Sequence, residues 1–149
     1  MKYLVLPLQV LLIRCSNPHQ EIEIDPLSKS YILEKIVNNS AHEKSIVFFM
    51  YPEFCGMCTE EIVYLINDFS IEGYSKYVAL TQENEITEKL NLPARYISLH
   101  DKLDLERHGL GFATGHLFLI EDGRFIYSQI VNEETFSIVE KETKIFFEK

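Results

Sequence analysis

Cys55 and Cys58 are separated by Gly56 and Met57. Two thiols at that spacing can form one internal disulfide. If a helix starts between them, the first cysteine meets unpaired backbone N–H groups and the positive end of the helix dipole, and both favour thiolate. Thiolate is the species that attacks a disulfide. The spacing therefore makes Cys55 the exposed nucleophile and Cys58 the resolving thiol one turn further on. Paired cysteines also hold zinc, but a structural zinc site needs four ligands. The third cysteine, Cys15, stands far away, and His100, His108 and His116 fall on separate predicted elements. A metal role for these histidines, or for Asp101, is the weaker reading; loop and strand-end positions suit them better. His116 is the best placed of them.

The elements that must position the pair are legible around it. Ser45 to Met50 reads SIVFFM, a continuous apolar run that predicts a strand buried on both faces. Tyr51 to Phe54 is a loop, and a helix starts at Cys55, with Ile62, Val63, Leu65, Ile66 and Phe69 on its apolar face. Asp25-Pro26 supplies an N-cap and a first-turn proline for a helix over 26–39, carrying Leu27, Tyr31, Ile32, Ile36 and Val37. Further along, strands are expected at Lys76–Thr81 and Arg95–Leu99. Short helices are expected at Asn84–Leu90 and Lys102–His108, the second ended by Gly109. His116–Ile120 and Arg124–Ile130 flank Asp122-Gly123, a hairpin signal. Glu133–Glu148 closes the chain as a helix, with Phe136, Val139, Ile145 and Phe146 toward the core. The order predicts an α/β fold: a central mixed sheet with helices on both faces.

The chain has 149 residues, one domain's worth. Its 14 Lys and Arg against 23 Asp and Glu give a formal charge of -9, which repels phosphate backbones and argues against nucleic acid as a partner. Met1-Lys2-Tyr3 followed by an apolar run to Ile13 has the form of a signal peptide over 1–14, and the run falls short of the roughly twenty residues that span a bilayer. Residues 15–25 read as a polar tether and 26–149 as a single domain. The segment around Cys15 is similar to a bacterial lipoprotein signal, which would make Cys15 a lipidation site and anchor the chain to a membrane. Arg14 stands where such signals carry a small residue, and Pro7 interrupts the apolar run. The alternative is an N-terminal strand in a cytosolic protein.

Three stretches, SIVFFMYPEFCGMC, KYVALT and GFATGHLFLIEDGRFIY, resemble the thioredoxin superfamily, and within it the TlpA/ResA-like extracytoplasmic thioredoxins, over about residues 45 to 148. Arg95 to His108 looks like the insert of that branch. The resemblance implies a thioredoxin-like fold and a thiol–disulfide oxidoreductase of the periplasm or cell envelope. Its only cofactor would be the Cys55–Cys58 disulfide. Its partners would be protein thiols and disulfides, with a membrane dithiol as electron donor. It assigns Glu61 to proton transfer at the buried thiol, and it places Thr114 and Gly115 in the loop that pairs with substrate. Tyr51 and Phe54 are read as rim residues that contact a partner.

Three departures from the family pattern matter. Phe54 replaces the usual Trp. Phe49 fills the region where classical thioredoxins bury an aspartate. Gly115 stands in place of the cis-proline that faces the thiols. A cis bond before a non-proline residue costs about 3 kcal/mol, so a trans peptide is expected, with glycine supplying any unusual backbone angles. Loss of that proline raises a second possibility, a Cu(I) or soft-metal carrier with His116 as a third ligand. A third is an interaction domain with vestigial thiols. Glu53, Glu60 and Glu61 bring negative charge near the pair and disfavour thiolate. A reducing couple follows, nearer about -270 mV than about -120 mV.

Overall fold

The computed structural model describes residues 20–38, 44–51, 56–68, 75–82, 85, 87–112 and 115–148. Its five strands lie in the order β3-β2-β1-β4-β5. β1 (Ser45–Met50) is central and wholly buried. It pairs in parallel with β2 (Ser75–Leu80), which pairs in parallel with β3 (Ile97–Leu99). On its other side β1 pairs antiparallel with β4 (His116–Glu121), which forms a hairpin with β5 (Arg124–Ile130). The hairpin turn is Asp122-Gly123, with φ of 51° and 74°. Two left-handed residues in a row match the right-handed twist of the strands they join.

Alternation along β1 and β4 divides the core in two. Ile46, Phe48, Met50, Leu117 and Leu119 face α2 (Gly56–Asp68) and α4 (Phe136–Glu148), meeting Ile62, Leu65, Ile66, Val139 and Phe146. Val47, Phe49, Phe118 and Ile120 face α1 (Pro26–Tyr31) and α3 (Lys102–Arg107), meeting Tyr31, Ile32, Ile36 and Leu105. The sheet is thus mixed and covered on both faces, as the sequence predicts.

α1 starts as expected. The Asp25 carboxylate accepts from the backbone N–H groups of Leu27 and Ser28, and Pro26 opens the first turn. The helix then widens through Ile32–Ile36, where Val37 N donates to Ile32 O, and Asn38 in the left-handed region (φ 53°) ends it. Leu27, expected on the apolar face of that helix, is exposed in its first turn.

Several expectations need correction. The helix expected at Asn84–Leu90 is a single 3₁₀ turn at Thr87–Lys89 among the described residues. Pro93 and the burial of Leu90 leave no room for another turn. The strand expected from Arg95 begins only at Ile97, after a 3₁₀ turn at Ala94–Tyr96. Residues 20–25 are not a free polar tether. Ile22 N donates to Phe125 O at 2.8 Å, and Ile22 and Ile24 pack against the α1/α3 side of the core. α4 begins at Phe136, where the side chains of Asn132 and Thr135 exchange hydrogen bonds with each other's backbone N–H. No described helix is long and apolar enough to cross a membrane.

Candidate active site

One end of the sheet holds Tyr51, Gly115 and His116 among the residues singled out above. The register places Phe49 opposite His116 and His116 opposite Ile130, with Met50 beside Leu80 and Leu80 beside Leu99. The carboxyl ends of the parallel strands therefore lie beside the start of β4. Tyr51 leaves β1 there, and α2 begins at Gly56, inside the Cys55–Cys58 motif. Cys58 is the third residue of that helix. Cys55, Phe54 and Thr114 lie outside the described residues, as do Cys15 and the Thr114–Gly115 peptide.

Glu61 lies on α2 three residues, one turn, beyond Cys58. The residue is half-buried. Its Oε2 is shielded from solvent and has no hydrogen-bond partner among the described residues. Burial raises its pKa above the usual carboxylate value, and the charge of Glu133 pushes the same way. A carboxyl so placed keeps its proton to higher pH than a solvated one.

Gly115 comes against the same helix. A Cβ at residue 115 would meet Ile62 Cδ1, the end of a side chain that would have to shift to admit it. Its carbonyl accepts from Val131 N at 2.8 Å, which ties this loop to the end of β5. Gly115 thus packs closely on the inner face of α2. The sequence gives no signal for this contact, because Ile62 reads only as one more core residue.

Tyr51 is not a rim residue. It is 4% exposed, its hydroxyl donates to Leu110 O, and its ring meets Phe112 edge-on. Burial raises its pKa strongly. The strand alternation explains the correction: Tyr51 continues the face of Val47 and Phe49, toward α1 and α3. It supports the loop before β4 from beneath.

His116 lies on that same face, not on the side of α2. Its ring stacks on Phe112 at 4.1 Å and 14°, and Nε2 bonds Ser128 Oγ at 2.7 Å. Nδ1 is buried without a partner among the described residues. Burial lowers its pKa to about 4, so the imidazole is neutral at pH 7. One ring nitrogen is engaged and the ring belongs to the aromatic core on the side of α1 and α3. The other two histidines lie elsewhere on this face. His100 bonds Tyr31 through Nδ1 and Ser98 through Nε2, and His108 packs on the other part of the Tyr31 ring. Among the described residues no three His, Cys, Asp or Glu side chains form a group that could hold a metal.

Comparison with known proteins gives a consistent result. Neither a protein-family model nor a curated protein sequence matches the chain. Solved structures do. A crystal structure assigned as a thiol:disulfide interchange protein DsbE from Chlorobium tepidum superposes with a TM-score of 0.54 at 13% identity, covering 74% of this chain and 84% of that one. A solution structure assigned as a protein disulfide isomerase from Bacteroides thetaiotaomicron gives 0.52 at 16% identity, covering 76% and 79%. The fold is thioredoxin-like. At such identities the likeness carries the fold alone. In this thioredoxin-like domain the motif falls where the first helix after the central strand begins, and a glycine packed on Ile62 leads into β4.

Proposed function

We propose that the chain is a thiol–disulfide oxidoreductase of protein substrates, working on the reducing side through Cys55 and Cys58. The observation that carries this reading is the start of α2 within the motif, at the carboxyl end of a fully buried strand. Cys55 then immediately precedes the free N–H groups of a 13-residue helix. Two structures of the same fold assigned to disulfide interchange and isomerisation support it.

The Cys55 thiolate attacks one sulfur of a substrate disulfide. That S–S bond breaks, the departing sulfur leaves as thiolate and takes a proton, and a mixed disulfide remains. The Cys58 thiolate then attacks the Cys55 sulfur, freeing the second substrate thiol and leaving the Cys55–Cys58 disulfide. Two electrons have passed to the substrate. Glu61, half-buried one turn beyond Cys58, accepts the Cys58 proton before that second attack. A membrane dithiol donor returns the pair to its reduced form. In this reading Thr114 and Gly115 would bind the incoming substrate and Phe54 would contact the partner.

We also place the protein in the periplasm or cell envelope, exported by residues 1–14 and anchored through lipidated Cys15. Radiolabelled palmitate incorporated by the native chain but not by Cys15→Ser checks the anchor.

Insulin reduction tests the chemistry. The native protein should precipitate insulin chains in the presence of dithiothreitol, and Cys55→Ser should abolish the acceleration. Cys58→Ser should accumulate a mixed disulfide with the substrate, resolved by mass spectrometry. A native protein that never forms an internal disulfide in glutathione buffers would rule this reading out. Stoichiometric Cu(I) binding without turnover would replace it with the carrier.

A further inference from the structure

The loop before β4 starts on one face of the sheet and ends on the other. Phe112, at its start, packs with the aromatic residues under α1 and α3, and Gly115, at its end, lies against Ile62 of α2. The far end is fixed by backbone: Gly115 O accepts from Val131 N at 2.8 Å, and His116 is in register with Phe49 and Ile130. The near end is fixed by a ring. Phe112 stacks on His116 at 4.1 Å and 14°, and meets Phe49 and Tyr51 edge-on at 5.7 and 6.4 Å. The platform under that ring is itself held. His116 Nε2 bonds Ser128 Oγ at 2.7 Å, the Tyr51 hydroxyl donates to Leu110 O, and Phe49 is wholly buried. Without the ring, one backbone bond among the described residues, Phe112 N to Leu110 O at 3.0 Å, would remain at position 112. The last fixed side chain before Gly115 would then be the buried Leu110, and the residues in between would double, from two to four.

We propose that Phe112 is a positioning residue for protein substrates: stacked on His116, its ring fixes where the loop before β4 starts and so holds Gly115 ready for the substrate backbone. This rests on the oxidoreductase reading above, in which that loop binds the incoming substrate. The physical reason is entropic. A substrate that pairs with a loop must leave it in one geometry, and every residue not already fixed lowers the affinity. A longer span between fixed points adds a loop-closure cost of the same sign. A small disulfide makes no such pairing and needs only the Cys55 sulfur. Phe112 belongs to the face opposite α2 and acts through the loop, so its loss falls on the binding of large substrates and spares the thiol chemistry.

Two reactions of the same protein separate these effects. One is insulin reduction, read as KM and kcat. The other is the second-order rate of the dithiol form with oxidised glutathione. Phe112→Ala should raise KM for insulin about tenfold, the scale of ordering one or two freed residues. Its kcat and its glutathione rate should stay within about twofold of native. Phe112→Tyr keeps the ring and should keep KM within about twofold of native. A merely structural role would lower the melting temperature and leave KM in place. The proposal is overturned by a native KM in Phe112→Ala, by a glutathione rate that falls as far as the insulin reaction, or by a raised KM in Phe112→Tyr. Where Phe112→Ala fails to fold, Phe112→Leu, which stays apolar and loses the flat stack, decides by the same measurements. Its failure to fold overturns the proposal, because the ring then serves the core. A native chain that reduces insulin while the variants match it sinks only this inference; a native chain that reduces neither disulfide sinks the oxidoreductase reading and this with it.

Discussion

The two faces of the sheet are built from different materials. Under α2 and α4 the packing is mostly aliphatic, and the orphaned polar atoms on that side include Glu61 Oε2. Under α1 and α3 it is aromatic and tied by polar bonds: Tyr51 to Leu110, Tyr31 to His100, His116 to Ser128, Ser28 Oγ to His108 O. The directional bonds hold the loops of the second face to one geometry. Among the described residues the first face bonds α2 near its C-terminal end, where Asn67 donates to Lys89 O and accepts from Asn91 N and Ile66 O accepts from Lys76, and it holds the rest of the helix by packing. The chemistry is proposed on the face that is packed and the scaffold stands on the face that is bonded.

The largest expected effect comes from the bonded face. Phe49 meets Phe112 and Phe118 edge-on at 5.7 and 5.8 Å and is wholly buried. Phe49→Ala should cost about 3–5 kcal/mol in urea unfolding. A loss near 1 kcal/mol would mean that the aromatic cluster collapses around the gap and is not rigid.

Titration gives the next. His116 is pushed down to about 4 from 6.5, so the unfolded chain binds more protons between those values. Its contribution is therefore intact above about pH 6.5 and is lost as pH falls toward 4, by up to about 3 kcal/mol. His100, also lowered by burial, acts in the same sense. Glu61 acts in the opposite sense. Its folded pKa is raised, so its contribution is present below about pH 4.5 and is lost as pH rises through the folded value. His116→Gln should flatten the acid limb of the stability–pH curve, whereas Glu61→Gln should steepen its net rise. Identical curves would remove the electrostatic contrast between the faces.

Tyr51→Phe should cost about 0.5–1.5 kcal/mol by removing one of the two hydrogen bonds on Leu110 O, the other coming from Phe112 N, with no change in KM for a protein disulfide. A raised KM with native stability would restore Tyr51 to the rim. Comparable in size is Asp25→Ala, about 1 kcal/mol from the lost cap of α1, read as a shift in the urea midpoint.

Where a local rule decided the geometry, the sequence was readable. Asp25-Pro26, the SIVFFM strand and Asp122-Gly123 each specify their structure within a few residues, and the structure has them. Tyr51 was misjudged because its neighbours in sequence are loop-forming, while the pleat of β1 turns it inward. The Ile22–Ile24 alternation was a strand-like signal overlooked among charged neighbours. The side of the sheet that His116 faces follows from register with Phe49, which no spacing along the chain reveals. The Gly115–Ile62 contact is long-range and steric, and neither residue type announces it.

The bond from Ile22 to Phe125 has a consequence for orientation. Phe125 sits beside the hairpin, at the opposite end of β5 from Ile130. Anything that holds the domain from upstream of residue 20 thus grips it at its blunt end. The start of α2 is turned outward from that grip by roughly a strand's length, about 17 Å, like a tool held by its handle.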